Sequence, residues 1–551
     1  MSEPGSERTL LVVGGLLLAA LGPNLGACGM EASADSPSAS EGRGPYPGTG
    51  GSNGEASAGR GNAAAGTAPV VSAGSGGTPP APEAELESAF EVPVATDRYV
   101  WTANPETGRL AFINAEDYEI RLVEVGLRPT TVAAVPTASG EDAALVLNSD
   151  SSDATLVRVD SERALTTTTL STHAGANALS VAPSGRFAIA WTNAAAFEES
   201  ELDTTDGLQD ITVLELGESP RSTVLSVGYR PSRVAFAEDE ERAFIVTEPG
   251  LSVIALGDEP RADELVELTE RPVSDQSVRD VSITKDGSLA LVRVDGSTEL
   301  GLVDLEKRER VTLDLGDFVT DLDLSNDGKL AFAVAGSELV AIPVPPGELT
   351  PADFERASVD GALARSVSLS PDSSLALVYS NAEESPYLGI LTSDDDWEHF
   401  SGRAVDLKAP VLAVFASPDA ERGIVFQKTS PGSRKAGAFS IVSAETNRAP
   451  KVVGTDAPPV QVAFAPDGST AVIATRDLVR ASYGMYLVKL ENLEENFVSL
   501  PSPPLAAGMV PAVHRAFVAQ AHPEGRITFV NLDDGSRRTL TGFELAAKVV
   551  E

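Results

Sequence analysis

The sequence predicts an all-β protein: a β-propeller built from about ten four-stranded repeats of ~46 residues, preceded by a signal peptide and a disordered linker. Three observations carry the prediction. A hairpin pattern, two short strands of alternating apolar residues around a turn that reads Pro-Asp-Gly or close to it, recurs from residue 86 to the end. Its period is that of one propeller blade. No stretch carries the 3.6-residue apolar repeat of a long amphipathic helix.

Taken in order, the chain divides into 1–27, 28–85 and 86–551. Residues 10–21 (LLVVGGLLLAAL) form an apolar run that is short for a bilayer span and has the length of a signal-peptide core. Gly22 and Pro23 break it. From Gly29 to about Glu85 the composition turns to Gly, Ser, Ala and Pro. Such a segment buries too little apolar surface to offset its ordering entropy. It is expected to be a disordered tether, with an end-to-end distance of roughly 40 Å.

The repeats then begin. Val462-Ala-Phe-Ala-Pro-Asp-Gly-Ser-Thr-Ala-Val-Ile-Ala474 aligns with Val281-Ser-Ile-Thr-Lys-Asp-Gly-Ser-Leu-Ala-Leu-Val292 and with Leu322-Asp-Leu-Ser-Asn-Asp-Gly-Lys-Leu-Ala-Phe-Ala-Val334. In each turn Pro presets φ, Asp accepts backbone N–H bonds and Gly supplies the left-handed conformation. Indexed by the first residue of the second strand, the units stand at Tyr99, Ala143, Phe187, Ala243, Leu289, Leu330, Leu375, Gly423, Thr470 and Ala516. Third strands follow, as in Leu300-Gly-Leu-Val-Asp-Leu305, and fourth strands, as in Arg310-Val-Thr-Leu-Asp-Leu315. Ten units exceed the four to eight of a typical propeller. The chain therefore forms either one large ring or two smaller ones, and the single ring is expected. Closure is expected to pair residues 90–94 with the chain near 545–550, so that free sheet edges are removed.

Acidic residues outnumber basic ones 81 to 41, for a formal charge of -40. That balance repels a phosphate backbone, so nucleic acid is not an expected partner. The lone cysteine, Cys28, excludes an intramolecular disulfide and any Cys-based zinc spacing.

Two acidic stretches are candidates for metal binding. The longest repeat carries an insertion whose Glu198, Glu199, Glu201, Asp203, Asp206 and Asp210 could offer several oxygens to a hard cation such as calcium, although the spacing is not that of an EF-hand loop. The other is Asp394-Asp395-Asp396 with Glu398 and His399. Each reads more simply as a solvated acidic turn, so no cofactor is assigned. His514 and His522 flank one short strand and should lie toward its opposite ends. The sequence contains no GxSxG, HExxH, P-loop or GxGxxG motif in a strand–helix context.

Two resemblances add to this reading. Leu25-Gly26-Ala27-Cys28, behind the apolar run, resembles the lipobox of bacterial lipoproteins. It implies cleavage before Cys28, a diacylglycerol on the thiol and an acylated new amino terminus. Each buried methylene of such chains contributes about 0.8 kcal/mol to anchoring. Gly29 stands where enteric inner-membrane lipoproteins carry Asp, which implies the outer membrane. Further on, Tyr99-Val-Trp-Thr-Ala-Asn104, with Arg109-Leu-Ala-Phe-Ile-Asn114 after it, resembles the YVTN-type repeat of bacterial surface and lactonase-like propellers. The Pro-Asp-Gly copies are similar to the WD40-like (PD40) repeat of TolB-type periplasmic proteins.

These resemblances cover residues 86–551 and imply a fold, not an activity, because propellers host many functions. The leading expectation is a lipid-anchored envelope propeller that binds a protein, peptide or glycan without turnover. One alternative is a lactonase-like or lyase-like enzyme with a metal-dependent site at the channel mouth. The other is a structural part of an envelope assembly.

Overall fold

The computed structural model describes residues 90–549, apart from 138–140, 198–201, 203–204, 271–278, 383, 394–396, 431 and 446–447. The expected signal peptide and tether, with Cys28, lie outside the described residues. Ten sheets form, nine of four strands and one of five. Within each blade the strands follow one another as antiparallel hairpins, as in Val319–Leu324, Leu330–Ala335, Glu338–Pro343 and Glu355–Ala357 of blade 6. Second strands start within one residue of the positions indexed by the repeat: Tyr99, Asp142, Phe187, Arg242, Leu289, Leu330, Leu375, Arg422, Thr470 and Arg515.

The turns between first and second strands show why the motif recurs. In Thr284, Ser325, Ser370 and Ser417 a hydroxyl donates to the Asp two residues on, at 2.6 Å for Ser370 to Asp372. The same hydroxyl accepts the N–H that opens the second strand, at 3.0 Å for Leu330 to Ser325. Gly185, Gly287, Gly328 and Gly468 close these turns with φ between 66° and 73°. At Gly185 a Cβ would also strike the Pro136 carbonyl of the preceding blade. Where glycine is lacking, Glu240, Ser373 and Ala420 adopt the same left-handed conformation.

Ten buried apolar clusters decide between one ring and two, because each joins one blade to the next. The last unites Val100, Ile113 and Leu122 of blade 1 with Val510, Phe517 and Phe529 of blade 10. All ten blades therefore form a single closed ring. Arginines on outer strands or in the turns that lead into them tie the blades further: Arg403 donates to Ser443 O at 2.6 Å and Arg448 to Glu491 O at 2.9 Å, each in the following blade.

The seam differs from the sequence expectation. Residues 90–94 do not pair with the C-terminal segment. Val94–Ala95 joins the inner edge of blade 1 through Tyr99–Asn104, while Lys548–Val549 adds in parallel to the outer edge, beside Ile120–Glu124. Both termini thus complete one sheet from opposite sides. They meet through rings instead of backbone: Phe90 packs edge-on against Phe543 at 5.3 Å. Gly525, with φ +76°, leaves room for both rings. Glu544 then accepts from Asn104 Nδ2 at 3.0 Å and from Thr107 Oγ1 at 2.5 Å.

First strands of neighbouring blades lie side by side around the axis. Asp321 Oδ2 accepts Val367 N at 2.8 Å, Ser368 Oγ accepts Ala416 N at 3.3 Å, and Gln461 Oε1 accepts Ala507 N at 2.8 Å. Fourth strands are the exposed rim. The first strands therefore wall the central channel. Connections between blades, and between second and third strands, all fall on one side of the ring, called here the mouth face; the Pro-Asp-Gly turns lie on the other.

Candidate binding site at the channel mouth

The two acidic stretches singled out in the sequence fall between strands that leave the sheet on opposite faces. The insertion joins Phe187–Trp191 to Asp210–Glu215 on the mouth face. Of its carboxylates, Glu198, Glu199, Glu201 and Asp203 lie outside the described residues, and Asp206 is exposed. The Asp394–Asp396 turn joins Tyr387–Thr392 to Ser401–Asp406 on the Pro-Asp-Gly face, and those three residues are also outside the described set. Beside them Trp397 is buried, donating Nε1 to Ser373 O at 2.8 Å and packing on Phe332, while Glu398 and His399 face outward. Among the described residues no three His, Cys, Asp or Glu side chains converge closely enough to hold a metal.

The histidines separate in the same way. His514 and His522 lie on opposite faces, at the two ends of Arg515–Gln520. His173 is buried where the insertion begins and ends, with Nδ1 2.8 Å from Thr212 Oγ1 and Nε2 3.2 Å from Thr192 Oγ1. Burial holds its pKa below the ordinary imidazole value, against the pull of the Asp210 charge. His173 thus bridges the two ends of the insertion.

The channel wall carries features that the motif search did not reach. In blades 2, 6, 8, 9 and 10 the first strand bulges at its second residue, so Thr130, Thr320, Leu412, Val460 and Leu505 stand outside the ladder at the mouth. A bulge re-aims a side chain while the strand continues. Over blades 8 to 10 the re-aimed residues are apolar, and Leu412 and Val460 remain 39% and 37% exposed.

Above this arc the blade 9 hairpin projects. Thr470–Asp477 and Ser482–Lys489 are eight residues each, against six in Arg422–Gln427 of blade 8. Two further residues raise the tip by roughly 7 Å. Asp477 Oδ1 fixes the turn by accepting Val479 N at 3.0 Å and Arg480 N at 2.9 Å. Leu478 and Val479 are thereby held 65% and 97% exposed. Arg476 Nη1 reaches Pro504 O at 3.2 Å and ties the hairpin to the start of blade 10.

Further round, across the hydroxyls of Ser366 and Ser368 in blade 7, the wall becomes acidic. Asp280 of blade 5 and Asp321 and Asp323 of blade 6 lie together, faced by Arg233 of blade 4, whose Nη1 is 3.6 Å from Asp280 Oδ1. Asp321 has a structural task, since it also accepts Leu322 N at 2.9 Å. The Asp323 carboxylate, three residues deeper in the bore than the bulge at Thr320, has no hydrogen-bond partner among the described residues. Burial, with the Asp321 and Asp280 charges beside it, pushes its carboxyl up to about 7 against the pull of Arg233. Burial and the Asp321 charge likewise raise the Tyr379 phenol of blade 7. The mouth and the wall below it can together hold a ligand with an apolar part and a cationic part.

No family model matches the chain. No curated protein matches it either. Solved structures that it resembles include hydrazine synthase of Kuenenia stuttgartiensis, 14% identical over 56% of this chain and 95% of that one, with a TM-score of 0.32. Others are a eukaryotic initiation factor, 13% identical over 83% and 97%, TM-score 0.42, and the dihydro-heme d1 dehydrogenase NirN in complex with DHE, 11% identical over 67% and 73%, TM-score 0.39. At these scores the likenesses carry no argument about what this chain does, and the site must speak through its own residues.

Motif reasoning missed the wall because none of its members belongs to a motif. A signal was present nonetheless. With the repeats aligned on their turns, the position of Asp323 reads Ser282, Ser368, Phe415 and Ala463 in other blades, and the position of Leu412 reads Arg279, Thr320 and Arg365. Departures at fixed positions of a repeat mark the surface that one blade offers and its siblings do not.

Proposed function

We propose that the protein is a lipid-anchored envelope propeller that works by binding a protein, peptide or glycan at its channel mouth, without turning the ligand over. The supporting observation is the collection of exposed apolar side chains on blades 8 and 9, with polar and acidic groups further along the wall, which is the composition of an interaction surface. The ring is a rigid scaffold, and the bulges and the long hairpin are departures from it that serve recognition. Acylation of Cys28 would hold this scaffold at the outer membrane, and the acidic surface disfavours nucleic acid.

Cross-linking of the acylated protein in intact cells, followed by affinity isolation and mass spectrometry, tests this, with Cys28→Ala as the mislocalised control. A recurrent partner lost in the control supports the reading. Recovery of no ligand from correctly anchored protein overturns it. One observation favours an enzyme instead: a carboxylate poised near neutrality, as Asp323 is, has the property a general acid or base needs. Turnover of a lactone or glycan substrate by the wild type, lost in Asp323→Asn, would establish that second reading.

A further inference from the structure

From the chemistry of the mouth and of the wall below it we infer that the ligand is a polypeptide segment that is both apolar and basic, with its apolar side chains on Leu478, Val479, Leu412 and Val460 and a Lys or Arg side chain reaching down the bore to Asp323. This inference rests on the reading of the mouth as a binding site and names its occupant. Two independent features converge on it. The exposed apolar residues Leu412, Val460, Leu478 and Val479 belong to two consecutive blades and one face. The acidic stretch of wall lies on the same row of first strands beyond one intervening blade, with Asp323 three residues deeper in the bore than the bulge positions.

Charge complementarity selects among occupants. A chain with 81 acidic and 41 basic residues repels acidic polypeptides and anionic lipid surfaces alike, and steers basic ones toward it. Asp323 supplies a specific destination, because a cation placed there satisfies a carboxylate that has no hydrogen-bond partner among the described residues. Hydrogen bonds from the Ser366 and Ser368 hydroxyls of the intervening blade can carry peptide backbone between the two regions.

Binding to the full-length acylated protein in zwitterionic nanodiscs, with empty discs as the blank, distinguishes the occupants. The probes are three peptides of equal leucine content whose polar positions are Lys, Gln or Glu. The Lys peptide is expected to bind at least about tenfold tighter than the Gln peptide, a difference of ~1.4 kcal/mol, and the Glu peptide not at all. Leu478→Ser with Val479→Ser, at an exposed tip where folding is not at risk, should weaken the Lys and Gln peptides alike. Asp323→Asn should weaken only the Lys peptide. Equal binding of the three peptides, or indifference to both variants, overturns the inference. So does protection of residues 476–483 from hydrogen exchange by the disc alone, which would assign the tip to lipid. A cellular partner cross-linked only through the Pro-Asp-Gly face would likewise overturn it while leaving the binding function standing.

Discussion

A single carboxylate gives the sharpest test at the residue scale. The Asp323 carboxyl titrates at about 7 in the folded protein, against a reference of 3.8. Between those values the folded state binds the extra proton, so stability falls as pH rises through that window. Asp323→Asn should therefore be more stable than wild type at pH 8, by on the order of 1–4 kcal/mol, and show a flatter melting profile between pH 4 and 7. Thermal melts across that range decide it. Binding of a cationic segment should run the opposite way, weakening below pH 7 as the carboxylate is lost. The buried Ser370 hydroxyl offers a plainer case. It donates to Asp372 and accepts Leu375 N at 3.1 Å, so Ser370→Ala leaves a buried N–H unpaired and should cost about 1–3 kcal/mol by urea denaturation. The turn was legible in the sequence because its chemistry closes within six residues. The state of Asp323 was not, because burial and two of its three charged neighbours come from other blades or from the packing between them.

For the single hairpin, the sequence reading was accurate wherever alternation and turn chemistry agree. Second strands start within one residue of their indexed positions because turn residues fix register, and a slip of one would send every apolar side chain to the wrong face. What alternation does not encode is a bulge. Leu412, Val460 and Leu505 follow a branched or proline residue exactly as an ordinary strand would, and only pairing with the second strand shows them displaced. The turns also offer an improvement. Ala420 holds φ 57° where four of its siblings use glycine. Ala420→Gly should stabilise the protein by up to about 1 kcal/mol, the relief of a left-handed alanine less the added freedom of the unfolded chain. A raised urea midpoint at unchanged slope would show it; a lowered one would mean that the conformation costs nothing there.

The ring as a whole depends on one seam. Nine junctions between blades are bridged by continuous chain, and the tenth is held by side chains, by Val94–Ala95 within and by Lys548–Val549 without. Phe543→Ala should cost roughly 3–5 kcal/mol, as large aromatic truncations in cores do. A truncation of similar size at Phe439, in the middle of the ring, should cost about as much. Only the seam variant should raise hydrogen exchange selectively in blades 1 and 10, and equal exchange at both sites would contradict this account of closure. Counting repeats predicted ten blades but not where they close, since identical interfaces are available to rings of any number. The decisive contacts, Phe90 with Phe543 and Glu544 with Asn104, join residues more than four hundred positions apart and belong to no repeat.

A ring assembled from like units separates calibre from chemistry. The width of the bore follows from how many first strands stand around it, and ten give a wider opening than the four to eight of most propellers. What the bore recognises follows from a few positions in each first strand, which the alternating core leaves free to vary. Gain or loss of a whole repeat would resize the aperture while keeping its lining, and substitution at the bulge or at the Asp323 position would reline it at constant bore. The two properties can therefore drift, or be engineered, independently of one another.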